Sequence, residues 1–425
     1  MRISKVMDLS GWLVILLAGV GGARAGEFQV NQYTTSYQKY PAISHDSSGG
    51  FVVAWHSNGQ DGSSWGVFAR GFDSSGGALG AEFQVNQFTT SFQGFPSISH
   101  DSSGGFVVAW GSYTQDGSSD GVIERRFDSS GSPLGGEFQV NQYTTSFQNY
   151  PTISHDSSGG FVVAWQSLDQ DGSGYGVFGR RFDSSGSPLG GEFQINQYTT
   201  SGQYFPAISH DSSGGFVVAW QSEYQDGSYY GVFGRRFDSS GGPLGGEFQV
   251  NQYTTSGQYF PTISHDSSGG FVVAWHSYGQ DGSYVGVFGR RFDSSGGVLG
   301  LEFQVNQYTT SFQTSPGISH DSSGGFVVAW ESFGQDGSDG GVFARRFNSS
   351  GSPLGGEFQV NQYTTSFQSY STISHDSADR FVVAWQSFGQ DGSSYGVFAR
   401  RIPAPIVTTG PAPGGASRVR RHQRG

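Results

Sequence analysis

Phe161-Val162-Val163-Ala164-Trp165, preceded by Gly159-Gly160 and followed by Gln166-Ser167, is a run of five apolar residues with no alternation of polar and apolar positions. Successive side chains of a strand point to opposite faces, so such a run predicts a strand buried on both sides. The same stretch recurs at Phe51, Phe106, Phe216, Phe271, Phe326 and Phe381, each time ending on tryptophan: Trp55, Trp110, Trp165, Trp220, Trp275, Trp330 and Trp385. A single four-stranded sheet cannot cover both faces of such a strand. Neighbouring units must do it.

Working outward, EFQ(V/I)NQ begins at Glu27, Glu82, Glu137, Glu192, Glu247, Glu302 and Glu357, so the repeat is constant and without insertion. Each copy reads as four short strands, as in Glu137 to Gln142, Thr152 to His155, Phe161 to Ser167 and Gly176 to Asp183, separated by Asp-Ser-Ser-Gly, Gly-Gly and Gln-Asp-Gly-Ser turn signals. No stretch carries a helical apolar period. Four strands in a unit of this size are the mark of a propeller blade rather than a solenoid coil. The expected fold is therefore all-β: a seven-bladed β-propeller with four strands per blade.

The ends sharpen this expectation. The chain opens with one EFQVN run, and the last copy stops at Ile402 before an eighth could begin. Glu27 to Gln32 is thus expected to complete the last blade beside Gly396 to Ile402 and close the ring. The strands carrying Ile43, Ile98, Ile153, Ile208, Ile263, Ile318 and Ile373 become innermost, and the tryptophans pack between blades.

Three segments follow. Residues 1–25 read as a signal peptide, with Arg2 and Lys5 before the apolar Gly11 to Val20 and a cleavage site at Ala23-Arg24-Ala25. Residues 26–402 are the propeller. Residues 403–425 are a disordered tail rich in proline, glycine and arginine. Secretion or periplasmic export after cleavage near Ala25 is the expected localisation, and no later segment is apolar enough for a membrane span. The chain has no cysteine, so disulfides and thiolate chemistry are excluded. Its net charge of −12 disfavours nucleic acid, the more so because the four arginines after Arg401 belong to the tail. Charged residues make up only 13% and aromatics 15%, which reads as an uncharged polar surface around a large aromatic core.

Loops between strands two and three and between blades share one face, and that is where the copies differ. Asp61, Asp116, Asp171, Asp226, Asp281, Asp336 and Asp391 are constant there. Trp65, Tyr113, Tyr175, Tyr224, Tyr229, Tyr278, Phe333, Phe388 and Tyr395 flank them in changing positions, and a second variable doublet runs from Lys39-Tyr40 to Ser369-Tyr370. Rings beside carboxylates and amides suit a polysaccharide or an extracellular protein. The expected function is a non-enzymatic binding module using these residues. The alternative for the aspartates is that they cap the Asp-Gly turn, and the alternatives for the protein are a propeller glycoside hydrolase or lyase, or a structural repeat.

Other constellations weigh less. No catalytic residues and no cofactor are expected; Asp169-Gln-Asp171-Gly172 resembles a fragment of a calcium loop, with one aspartate more than the other copies. Seven histidines, from His45 to His375, each precede an aspartate, which suggests a His–Asp hydrogen bond or a metal ring. Arg181 and its equivalents are expected to pair with Glu192 and its equivalents. Lys39, Asp120, Glu124, Glu223, Glu331, Asp339, Asp379 and Arg380 break the repeat. Asp120 and Glu124, four residues apart on a strand, would stand about 13 Å apart, too far for a glycosidase pair.

The units GEFQVNQYTTS, GGFVVAWQS and QDGSxYGVFxRRFDSSG resemble tandem repeats of large secreted bacterial proteins. That resemblance covers residues 27 to 402 and implies an exported β-propeller-like module, often connected with adhesion. The glycine-rich calcium-binding nonapeptides of hemolysins are missing, so neither their calcium roll nor toxin activity is implied. SHDSSGG resembles the sialidase Asp-box in part, with different spacing and no assignable arginine triad.

Overall fold

The computed structural model describes residues 26–402, and the signal peptide and tail read from the sequence lie outside the described residues. Every regular element is a strand, gathered into seven four-stranded antiparallel sheets. In blade 1 these are Gln38–His45, Phe51–Asn58, Trp65–Phe72 and Phe83–Gln84, from the axis outward, and the following blades repeat them. Each inner strand touches the inner strands of both neighbouring blades, including the first with the last. The sheets therefore form a closed seven-bladed β-propeller.

Closure is made as expected. Phe28–Gln29 pairs antiparallel with Tyr395–Ile402, Phe28 opposite Ala399 and Gln29 opposite Phe398, so blade 7 draws its outer strand from the start of the chain. Val30 extends this ladder by donating its N–H to Val397 O at 2.8 Å.

The outer strands are shorter than the sequence suggests. In blade 2, for example, only Phe138–Gln139 is laddered. The next pairing is Val140 N–H to Val122 O at 2.8 Å, after which Asn141 Oδ1 accepts the Val122 N–H at 2.9 Å. A side-chain amide has replaced the ladder, which frees the backbone to turn toward the next blade.

Large faces pack on small ones between blades. Trp110, Phe106 and Val108 of blade 2 meet Val52, Ala54, Val67 and Ala69 of blade 1, and the tryptophan is fully buried. Each indole removes about 200 Å² from water, worth about 5 kcal/mol. Its Nε1–H has no partner, in all seven copies, which offsets about 1–3 kcal/mol of that gain.

Two sets of polar contacts join adjacent blades. Glu82 accepts the N–H groups of Gln32 and Tyr33 at 2.5 and 2.8 Å, while its own N–H donates to Gln32 Oε1 at 2.9 Å. The same reciprocal latch closes the ring, with Glu27 bound to Gln362 and Tyr363. Glu192 and its equivalents serve this latch and form no ion pair with Arg181; among the described residues the ion pairs are Arg380 and Arg401 on Asp376. Arg181 instead donates to the carbonyls of Ser239 and Ser240 in the next blade, because the sheet twist points it at that turn.

Glu124 is a local conflict with this packing. It replaces the small residue seen at Ala69, Gly179, Gly234, Gly289, Ala344 and Ala399, and it is 2% exposed. Its Oε2 has no partner, and burial pushes its carboxyl up to about 8. It is therefore no surface partner for Asp120, which sits half-buried and accepts from Asn149 Nδ2 at 3.2 Å.

Two outcomes test this architecture. Deleting residues 26–31 strips blade 7 of its outer strand and half the latch, and should lower the thermal midpoint sharply and expose an aggregating edge, read by calorimetry and light scattering. Glu124→Ala should raise the midpoint above neutral pH. A buried acid with a raised folded value stabilises below about 4.5 and loses that contribution as pH climbs toward about 8, so the variant's gain should grow across that window.

Candidate functional site

The two kinds of loop expected to share a face do so, and the strongly exposed aromatic side chains among the described residues lie on it. Tyr224, Tyr229 and Tyr284 are the most open, at 52, 64 and 66%. The opposite rim carries exposed aliphatic residues such as Leu79 and Leu134 in the turn after strand three.

The seven aspartates sit beneath this surface in the turn between strands two and three. Each gives Oδ1 to the N–H of the serine two residues on, as Asp116 does to Ser118 at 3.0 Å, and Oδ2 to an asparagine amide of the outer strand, as Asp116 does to Asn141 at 3.0 Å. The pattern holds from Asp61 to Asp391. Both carboxylate oxygens therefore carry bonds within the fold. Asp171 follows this rule, and Asp169 occupies a left-handed position, φ 63°, where Gly59, Gly279, Gly334 and Gly389 stand in other blades. Aspartate tolerates that conformation. Among the described residues no three acid or histidine side chains are placed to hold a metal ion.

The flanking rings occupy three levels. Tyr113, Tyr278, Phe333 and Phe388 end the second strand; Tyr224 and Tyr229 stand in the turn, 5.9 Å apart; Trp65, Tyr175 and Tyr395 begin the third strand and are half-buried. They recur blade by blade around the rim and do not converge with the aspartates on one point.

What does converge lies nearer the axis. Tyr40, Phe95, Tyr150, Phe205, Phe260, Ser315 and Tyr370 take one position in each inner strand, where a bulge interrupts the register. All seven adopt left-handed backbone, φ 50 to 54°. Non-glycine residues there cost on the order of 1 kcal/mol or more each, and a second set, Ser36, Ser91, Ser146, Ser201, Ser311 and Ser366, takes left-handed backbone at φ 64 to 73° in the loops leading to the inner strands. Successive ring centroids from Tyr40 to Phe260 lie 5.0, 4.5, 4.7 and 4.4 Å apart, and Tyr370 returns to Tyr40 at 4.4 Å. The result is an aromatic iris around the channel mouth with one gap, at Ser315. Together with the prolines that follow six of these residues and Ser371 after Tyr370, it lines a cavity of about 340 Å³.

The second strand holds this strained ring in place. In six of the seven copies the residue after the tryptophan accepts the mouth residue's N–H from the next blade, Gly111 behind Tyr150 being the exception: Gln386 for Tyr40 at 3.1 Å, His56 Nδ1 for Phe95 at 3.3 Å, Gln166 for Phe205 and Gln221 for Phe260 at 3.0 Å, and His276 Nδ1 for Ser315 at 3.4 Å. Glu331 does the same for Tyr370. Burial pushes His56 down to about 3, which keeps Nδ1 free to accept. These positions were legible only as a polar residue interrupting an apolar strand.

At the opposite mouth the histidines are not tied to aspartates. Nδ1 of His100, His155, His210, His265 and His320 has no partner, His375 Nδ1 meets Ser319 Oγ at 3.0 Å, and the rings lie against phenylalanines, His45 on Phe51 at 5.1 Å. The following aspartate turns away to cap its own turn: Asp46 Oδ1 accepts from Ser48 and Gly50 N–H at 2.8 and 2.9 Å.

No protein-family model matches the chain, and no curated protein matches it. Solved structures do. A protein of unknown function from Dyadobacter fermentans superposes with TM-score 0.54 and 10% identity over 90% of this chain and 99% of that one. Kuenenia stuttgartiensis hydrazine synthase gives 0.55 and 8%, over 86% and 97%. An α-L-arabinofuranosidase from Fusarium graminearum gives 0.49 and 9%, over 88% and 97%. The first two share the fold with this chain. At such identities no residue of theirs transfers to a position here.

The histidines predict acid lability. Burial lowers His100, His155, His210 and His320 to about 4 and His265 and His276 to about 3. Folded values below the unfolded one mean that stability is complete above about 6.5 and falls as pH drops toward 3. Chemical denaturation at pH 7.5 and 5 should show a clear loss of midpoint at the lower pH.

Proposed function

We propose that the protein is an exported binding module that recognises a polysaccharide or an extracellular protein through the face bearing the aromatic iris. The observation that carries this reading is the strained ring at the mouth. Glycine takes a left-handed position at least cost, and at the mouth six of the seven such positions instead hold aromatic rings turned to one opening. Flat rings bordered by amides and hydroxyls stack on apolar sugar faces or seat peptide side chains. Repetition of rim tyrosines around the ring would add avidity toward a repeating ligand. Export rests on the basic and apolar residues that precede Gly26.

A hydrolase or lyase is disfavoured by the carboxylates of this face. The seven turn aspartates are bonded within the fold, and Glu331 is the one acid lining the cavities at the mouth. Glycoside hydrolysis ordinarily uses two, about 5 to 9.5 Å apart.

Residues 26–402, purified and applied to a glycan array and to cell-envelope fractions, should bind and return the bound oligosaccharide uncleaved. Phe205→Ser, which copies the residue found at Ser315, should weaken binding by about 3- to 10-fold, the worth of one aromatic contact. Failure to bind any glycan or envelope fraction would remove the reading.

A further inference from the structure

The gap in the iris is also where the repeat is most broken. Ser315 replaces a ring, Glu331, behind the neighbouring Tyr370, replaces the glutamine, histidine or glycine that follows the tryptophan in other blades, and Lys39 stands on the far side, at the position held by Gly94, Asn149 and Tyr204 in the next three blades. A cavity of about 540 Å³ joins all three, between blades 6, 7 and 1. We propose that this cavity is a single, unrepeated subsite for an acidic saccharide, with Lys39 taking the sugar carboxylate and the exposed ring of Tyr370 its apolar face. This rests on the binding role proposed above and names its ligand class.

Lys39 is the one basic residue among those lining the cavity. Its ammonium lies over the rings of Tyr37 and Tyr395, 4.8 and 4.3 Å from their centroids, and forms no ion pair among the described residues. A cation held on two rings and partly removed from water is poised for an incoming anion. Burial pushes Glu331 up to about 8, so at neutral pH it is chiefly the undissociated acid and does not repel a carboxylate nearby. The walls supply Phe333, Phe367 and Tyr370 as apolar surface, with Thr314 and Ser315 hydroxyls beside them. One cation, several rings and a few hydroxyls match a hydroxylated ring carrying one carboxylate.

Isothermal titration of residues 26–402 with a galacturonic acid oligosaccharide, the matching neutral galactose oligosaccharide and a tetraglutamate peptide decides the matter. The expected result is one site per chain for the acidic sugar, weaker binding of the other two, and about a 10-fold loss in Lys39→Asn, the worth of one charge-assisted hydrogen bond. Ser315→Tyr, which restores the ring found in other blades and should therefore fold, should abolish that site. Equal binding of acidic and neutral sugars, unmoved by either variant, overturns the subsite and leaves the wider binding role standing. Tighter binding of tetraglutamate overturns the saccharide assignment. Binding of none of the three, with no ligand found on the array, defeats both proposals.

Discussion

The structure depends on a size mismatch between the two faces of one strand. Phe51, Val53 and Trp55 project from one face of blade 1, and Val52 and Ala54 from the other. A large face can be filled only by the small face of another copy, so no blade is stable alone and each interface dictates the next. Seven such interfaces close on themselves. Breaking the pattern anywhere puts a large residue against a large one, or leaves a void beside a tryptophan.

Closure turns this packing into a rigid frame, and the latch between Glu27 and Gln362 makes the last interface chemically the same as the others. The frame in turn holds seven inner strands in a backbone conformation they would not adopt in isolation. The side chains that enforce it come from the neighbouring blade, as Gln386 does for Tyr40 and Gln166 for Phe205. Strain at the mouth is thus offset by packing elsewhere, as is usual where a surface must keep a fixed shape.

Departures from the repeat divide into two kinds. Asp379 and Arg380 are absorbed by the fold: Asp379 takes the left-handed turn position of a glycine and Arg380 binds Asp376 at 2.6 Å. Glu124 is buried without full bonding. Lys39, Ser315 and Glu331 behave differently, since three separate irregularities meet at one cavity. A repeat protein that breaks its own symmetry three times at one place has made that place chemically distinct.

The residues alone determined the class and the circle. An apolar run on both strand faces demands neighbours, a constant period makes those neighbours identical, and a lone leading EFQVN run has one complementary edge, at Gly396 to Ile402. The carboxylates were legible as residues but not by role, because Asp116 looks the same in sequence whether it faces a ligand or, as here, Ser118 and Asn141. Only the tertiary structure decided that the doublets such as Lys39-Tyr40 form the mouth. In six of the seven copies the mouth residue's N–H bonds to a side chain of another blade, as Tyr40 does to Gln386, and Lys39 and Glu331 line one cavity only because the ring brings together segments from opposite ends of the chain. Periodicity is written locally. The meeting of distant exceptions is not, since it follows from closure and twist, which belong to the whole ring.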